Sequence, residues 1–112
     1  MRSRPLVGWI VGAASAIAFT VAAVGCGGGG GSTPTTGPAI YKAYCATCHG
    51  VDGQGGVGPQ LGAGVVAQKY PNIDDQIAVV TNGKGTMPSW RGRLTPSQIR
   101  NVVVYERTKL GQ

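Results

Sequence analysis

One histidine, His49, and three cysteines are all that 112 residues offer in nitrogen and thiol ligands, and four acidic residues stand against ten basic ones. Each shortage closes a class of function. A structural zinc site needs four ligands. Here only Cys45, Cys48 and His49 stand together, with Cys26 far off beyond a Gly-rich stretch. A thioredoxin-like C-x-x-C needs a βαβ context, and the chain shows neither strand-type alternation nor an internal repeat. A disulfide between Cys45 and Cys48 would close too short a loop to stabilise much.

Charge is also missing from the start of the chain. Arg2 and Arg4 precede a stretch from Leu6 to Val24 without Asp, Glu, Lys or Arg. A basic start, an apolar run and small residues at its end make an export signal, here residues 1–25. The run ends in Ala23-Val24-Gly25-Cys26, which resembles the lipobox of bacterial lipoproteins, with Ala23 where Leu is usual. The resemblance implies cleavage before Cys26 and its acylation. About 20 apolar residues also suffice to span a bilayer uncleaved, but the cysteine and the abrupt change to glycine favour the lipoprotein. Either way the folded part lies outside the cytoplasm on a tether. Residues 26–37, rich in Gly, Ser, Thr and Pro, form the linker, with a mean reach on the order of 20 Å. Removing Arg2 and Arg4 with the signal lowers the formal charge from +6 to +4. In an exported protein so modest an excess suits acidic docking surfaces, lipid headgroups or simple solubility, and not nucleic acid.

Residues 38–112 remain to fold, a length at which apolar burial barely offsets chain entropy unless a disulfide, metal or large cofactor adds to it. Pro38 opens a predicted helix through His49, with Ile40, Tyr41, Tyr44, Cys45 and Cys48 on overlapping faces. The Gly-rich run 50–66, broken by Pro59, excludes regular helix. Asn72 as N-cap, Asp74 and Asp75 in the first turn and Gly83 as stop delimit a second helix, with Ile73, Ile77 and Val80 inward. Thr95, Pro96 and Gln98 spell a capping box for the last helix, which turns Ile99, Val102, Val103 and Leu110 inward and Arg100, Arg107 and Lys109 to water. The fold class is all-α, three or more short helices that together bury too little without a large cofactor.

Cys45-Ala46-Thr47-Cys48-His49 is the C-x-x-C-H signature of c-type haem attachment. On a helical turn these three side chains share a face, so two thiols can add to the haem vinyl groups while His49 becomes the proximal iron ligand. The expected cofactor is one haem c, held through Cys45 and Cys48. Once Met1 is removed with the signal, Met87 is the single methionine, in a Gly- and Pro-rich loop where a core filler is out of place. With no second histidine, its thioether is the remaining candidate for the sixth iron position.

Taken together, residues 37–112 resemble the class I cytochrome c family, through Cys45, Cys48, His49 and Met87 and through Gly58-Pro59-x-Leu61 after the haem motif. The resemblance implies a cytochrome c fold around one haem, with the Pro59 carbonyl accepting the His49 ring N–H, which orients the ring and raises its basicity. It also implies that Gly37 and Tyr41 on the first helix cross the last near Val102 and Tyr105. Trp90 either bonds a haem propionate or packs as pocket wall; Gln60, Arg91 and Arg93 are weaker propionate candidates. Lys42, Lys69 and Lys84 are candidates for the haem rim. With both iron positions filled by protein, the expected function is transfer of single electrons, not enzymatic turnover. The expected partners are membrane respiratory or photosynthetic complexes or exported reductases, met by a monomer anchored to the membrane and facing the periplasm or extracytoplasmic space. A haem-based NO or CO binder with a displaceable Met87 is the alternative. Against it stand the lack of a signalling domain and of a distal polar residue.

Overall fold

The computed structural model describes Gly8, Gly12 and residues 31–112. The rest of the export segment and Cys26 lie outside the described residues. The folded unit is Ser32–Gln112. Among the described residues it is helical without strands, and no helix is long and apolar enough to cross a membrane.

Helix α1 (Gly37–Tyr44) follows an extended Thr36 and takes Pro38 in its first turn, where a missing N–H costs nothing. The single helix predicted over 38–49 is divided at Cys45, after which α2 (Ala46–His49) completes it. Cys45 closes α1 by donating its N–H to Tyr41 O at 2.9 Å. Its own carbonyl then accepts from both Cys48 N, at 3.1 Å, and His49 N, at 3.0 Å. That tightened turn holds the backbone of positions 45, 48 and 49 together.

The Gly-rich run then crosses the base of the unit, where Ala63 N donates to Leu110 O at 3.0 Å. It ends in a short helix that the glycine content hid, α3 (Val65–Lys69), which buries Val66. Helix α4 (Ile73–Asn82) begins as its signals require: Asn72 Oδ1 accepts from Asp74 N at 3.0 Å, and Gly83 ends it. Helix α5 (Pro96–Thr108) carries the full capping box, with Gln98 N on Thr95 Oγ1 and Thr95 N on Gln98 Oε1.

The core is made where α1 and α4 meet α5, around Ile40, Tyr41, Val80, Ile99, Val102, Val103 and Leu110. The α1–α5 crossing demands glycine at position 37: a Cβ there would stand 2.5 Å from both Asn101 O and Tyr105 Cβ. One turn on, the rings of Tyr41 and Tyr105 meet at 5.8 Å between centroids. Ordered contact begins before α1, because Gln98 Nε2 donates to Pro34 O at 2.8 Å and Asn101 Nδ2 to Thr35 O at 2.9 Å. Arg107, expected in water, is instead half-buried. Its Nη1 donates to Tyr70 O at 2.7 Å and to Gln76 Oε1 at 3.0 Å, since the turn between α3 and α4 brings bare carbonyls against it.

Candidate functional site

A mainly apolar cavity of about 240 Å³ lies between α2, the Gly-rich run, α4 and the loop that follows α4. Cys45, Cys48, His49, Pro59, Leu61, Met87 and Trp90, seven positions singled out from the sequence, all line it. No disulfide joins Cys45 and Cys48, so both sulfurs are available to the pocket. Tyr41 secures the turn that carries them by donating its hydroxyl to Gly50 O at 2.7 Å.

His49 is buried, with Nδ1 2.8 Å from Pro59 O. A carbonyl can only accept, so Nδ1 carries the hydrogen, and in the neutral ring the lone pair is then on Nε2. Gly58 makes this approach possible, because a Cβ there would lie 2.6 Å from the imidazole Cε1. Met87 is held by its backbone: Met87 N donates to Lys84 O at 3.0 Å, and Lys84 N to Met87 O at 3.2 Å. The same loop is tied to α4 through Ser89 Oγ on Thr81 O and Trp90 N on Val80 O. A thioether on so short and braced a turn has little freedom to wander.

Trp90 packs edge-inclined on Tyr44, 5.4 Å between centroids, and the Arg93 guanidinium lies 4.4 Å from its ring centre. Arg93 is thereby drawn to the indole and is not among the lining residues; Arg91 bonds Asn82 and is also absent from the lining. Gln60, Lys69 and Lys84 do line the pocket, while Lys42 does not. Lys84 Nζ donates to Tyr70 OH at 3.2 Å, and Lys69 and Lys84 both lie within 6 Å of the Tyr70 ring centre.

Two polar residues of the pocket wall escaped the sequence reading. Gln76 and Glu106 are both buried, and Gln76 Nε2 donates to Glu106 Oε2 at 2.8 Å. A signal was present. Glu106 lies four residues after Val102 and three after Val103, and Gln76 three after Ile73 and four before Val80, so each falls on its helix's buried stripe. Burial pushes the Glu106 carboxyl up from an ordinary 4.5 to about 7, against the opposing effect of the Gln76 bond. Burial, then Glu106 and Cys48, push the Cys45 thiol up to about 12. The Tyr41 hydroxyl is likewise raised, first by burial and then by Glu106.

A haem suits this chamber. Two thiols, an imidazole with its outer nitrogen free and a thioether are a donor set for iron-bound porphyrin, in a wall of Leu61, Val66, Val79 and Val80. The Cβ-free path at Gly58 keeps the imidazole against Pro59.

Known proteins agree with the chemistry. Residues 32–105 match the family described as cytochrome C oxidase, cbb3-type, subunit III. Cytochrome c6 of Leptolyngbya boryana is 35% identical over 68 residues, covering 59% of this chain and 80% of that protein. The cbb3-type cytochrome c oxidase subunit FixP of Azorhizobium caulinodans is 36% identical over 92 residues, which cover 70% of this chain but 28% of FixP. This chain therefore spans only about a quarter of that oxidase subunit. The crystal structure of cytochrome c6 from the diatom Phaeodactylum tricornutum superposes with a TM-score of 0.55 at 32% identity, over 66% of this chain and 90% of that one. Helix order, pocket and relatives converge: the chain has the cytochrome c fold and belongs to the c-type cytochrome family of cbb3 subunit III and cytochrome c6, with haem c bonded covalently through Cys45 and Cys48.

Proposed function

We propose that this protein is an exported, membrane-tethered monohaem carrier that passes single electrons between extracytoplasmic redox partners, with His49 Nε2 and the Met87 thioether as the two axial ligands. The observation that carries the reading is the convergence of Cys45, Cys48, His49 and Met87 on one apolar pocket, with His49 Nδ1 already engaged by Pro59 O at 2.8 Å. Haem c supplies an iron that alternates between the ferric and ferrous states. The protein's part is to keep that alternation free of other change. Pro59 fixes the imidazole plane and tautomer and increases its basicity. The Lys84–Met87 turn would present the thioether to the iron from a braced backbone. Leu61, Val66 and Val80 keep water from the pocket, which with a thioether ligand favours the reduced form.

Filling both axial positions from the protein leaves no place for a substrate, which favours a carrier over an enzyme. Cys26, acylated after export, would hold the domain at a membrane through residues 27–37, and a tether of that kind raises the local concentration of membrane partners without new contacts. Respiratory or photosynthetic complexes, or exported reductases, are the partner class, in keeping with the oxidase subunits and cytochromes c6 among the relatives. The protein acts as a monomer.

The ferric spectrum of the full chain, matured with haem, tests the reading. It should show the weak far-red band of a methionine–iron bond, and Met87→Ala should abolish that band. A high-spin ferric haem in the unaltered protein would overturn the ligand assignment and bring forward gas binding. Cys26→Ser should release the protein from the membrane fraction into the soluble one.

A further inference from the structure

Glu106 has no part in electron carriage as described, yet it is the only glutamate of the chain and its side chain is 3% exposed. A lone buried carboxyl in the wall of a redox pocket calls for its own account. Its Oε2 accepts from Gln76 Nε2, and the Gln76 carbonyl oxygen is in turn occupied by Arg107 Nη1 at 3.0 Å. That second bond fixes which end of the amide faces Glu106: the donor end. Arg107 itself is anchored on Tyr70 O and Pro71 O, so its charge is spent on carbonyls with the neutral Gln76 between it and the carboxyl. The wall thus holds a carboxyl supported by one neutral hydrogen bond, open to the charge state of whatever fills the pocket.

We propose that Glu106 is a redox-linked proton site, taking up one proton from solvent when an electron enters the pocket and releasing it when the electron leaves. The step balances: a donor partner supplies one electron, ferric iron becomes ferrous, and an O–H bond forms on Glu106 as a solvent hydronium gives up its proton and leaves as water. Its cause is electrostatic. An added electron removes positive charge from a pocket of low polarity, and a nearby carboxylate loses the attraction that favoured its ionised form. The proposal rests on the electron-carrier reading above.

The surroundings leave Glu106 as the group best placed to respond. From α1, Tyr41 keeps its proton well above the neutral range, and Cys45 has no titratable proton once bonded to haem. From α3 and its end come Lys69 and Tyr70, and from the loop after α4 comes Lys84, all on the same lining. Asp74 and Asp75 on α4 are exposed at its first turn, and Lys109 beyond α5 is exposed. Burial already places the Glu106 carboxyl near neutrality, where a small change in pocket charge alters its occupancy.

The test is a spectroelectrochemical titration of the haem-loaded full chain from pH 5 to 9. The midpoint potential should fall with rising pH through a window near neutrality and level off on both sides. Across it the reduction equilibrium constant should change about tenfold for each unit by which the Glu106 pKa differs between oxidation states. Glu106→Gln should flatten that window. Gln76→Leu, which removes the bond favouring the carboxylate, should move it to higher pH. Because Glu106 is the sole glutamate, ¹³C-glutamate labelling lets carboxyl NMR follow its titration in both oxidation states without any substitution. Equal pKa values in the two states, a wild-type potential that is flat with pH, or a slope that survives in Glu106→Gln (a propionate in its stead) would each overturn the proposal. Absence of any one-electron wave would remove the carrier reading as well, so the two failures are distinguishable.

Discussion

Helix α5 is met by α1 and by α4, and the two contacts rest on different physics. Against α1 the fit is one of volume: Gly37 lets the backbones close on Asn101, Ile40, Val102 and Val103 are fully buried, and Tyr41 inclines on Tyr105. Against α4 the apolar packing of Val80 is joined by a polar element: Gln76 stands between Glu106 and Arg107 and bonds to both. The first contact is made by apolar and aromatic side chains, whereas the second turns on one carboxyl. A helix fixed by packing on one side can carry a proton-sensitive residue on the other without losing its place. The pocket wall depends on that division.

The sharpest way to break the comparison is to add volume on the α1 side. Gly37→Ala places a Cβ 2.5 Å from Asn101 O, a backbone atom that no side-chain rotation can move. Separating α1 from α5 should cost about 3 kcal/mol, the upper range for overpacking. Denaturant unfolding of the haem-loaded protein would measure it, and the loss should be the same at pH 5 and pH 8. A cost that changes with pH would show that the two contacts are coupled.

On the α4 side the prediction is for pH. Folded Glu106 holds its proton to higher pH than the unfolded chain does, so this residue's share of stability is intact below pH 4.5 and is lost as pH rises through about 7. Above that window the loss is constant. A carboxyl raised from 4.5 to about 7 corresponds to a decline of roughly 3 kcal/mol. Unfolding free energies measured at half-unit intervals from pH 4 to 8 should show that decline in the wild type, and Glu106→Gln should remove it. A parallel decline in the variant would assign it to another group.

The sequence was most legible where chemistry or hydrogen bonding is local. Cys45, Cys48 and His49 lie within five residues, and Thr95 with Gln98 within four, so their spacing alone carries the information. The helix break at Cys45 was hidden because its cause is the double use of one carbonyl, which no residue type announces. Helix α3 was hidden by Gly62 and Gly64, whose flexibility reads as loop although Val66 needs a turn of helix to reach the core. Glu106 and Gln76 were passed over for a different reason. Polar residues on a buried stripe look like exceptions until a partner is known, and the partner here lies 30 residues away on another helix. Arg107 reads as a water-facing residue on the same grounds, and its carbonyl partners lie farther still, 37 and 36 residues away.

The smallest expected effect concerns the start of α5, which both contacts share. Thr95 Oγ1 accepts from Gln98 N at 3.2 Å, and Gln98 Oε1 accepts from Thr95 N at 2.8 Å. Thr95→Ala removes the first bond and should cost about 1 kcal/mol in unfolding free energy. Gln98 also reaches Pro34 O, so its loss would disturb the segment before α1 as well, and Thr95 is the cleaner site. The decisive feature is the pH profile. Because the cap lies upstream of both contacts, it should lower the wild-type curve by one amount at every pH and leave the decline due to Glu106 unchanged in size. A cap variant that altered the height of that decline would mean that fraying at Pro96 reaches Glu106, ten residues along, and that α5 does not hold its two sides apart as a rigid element would.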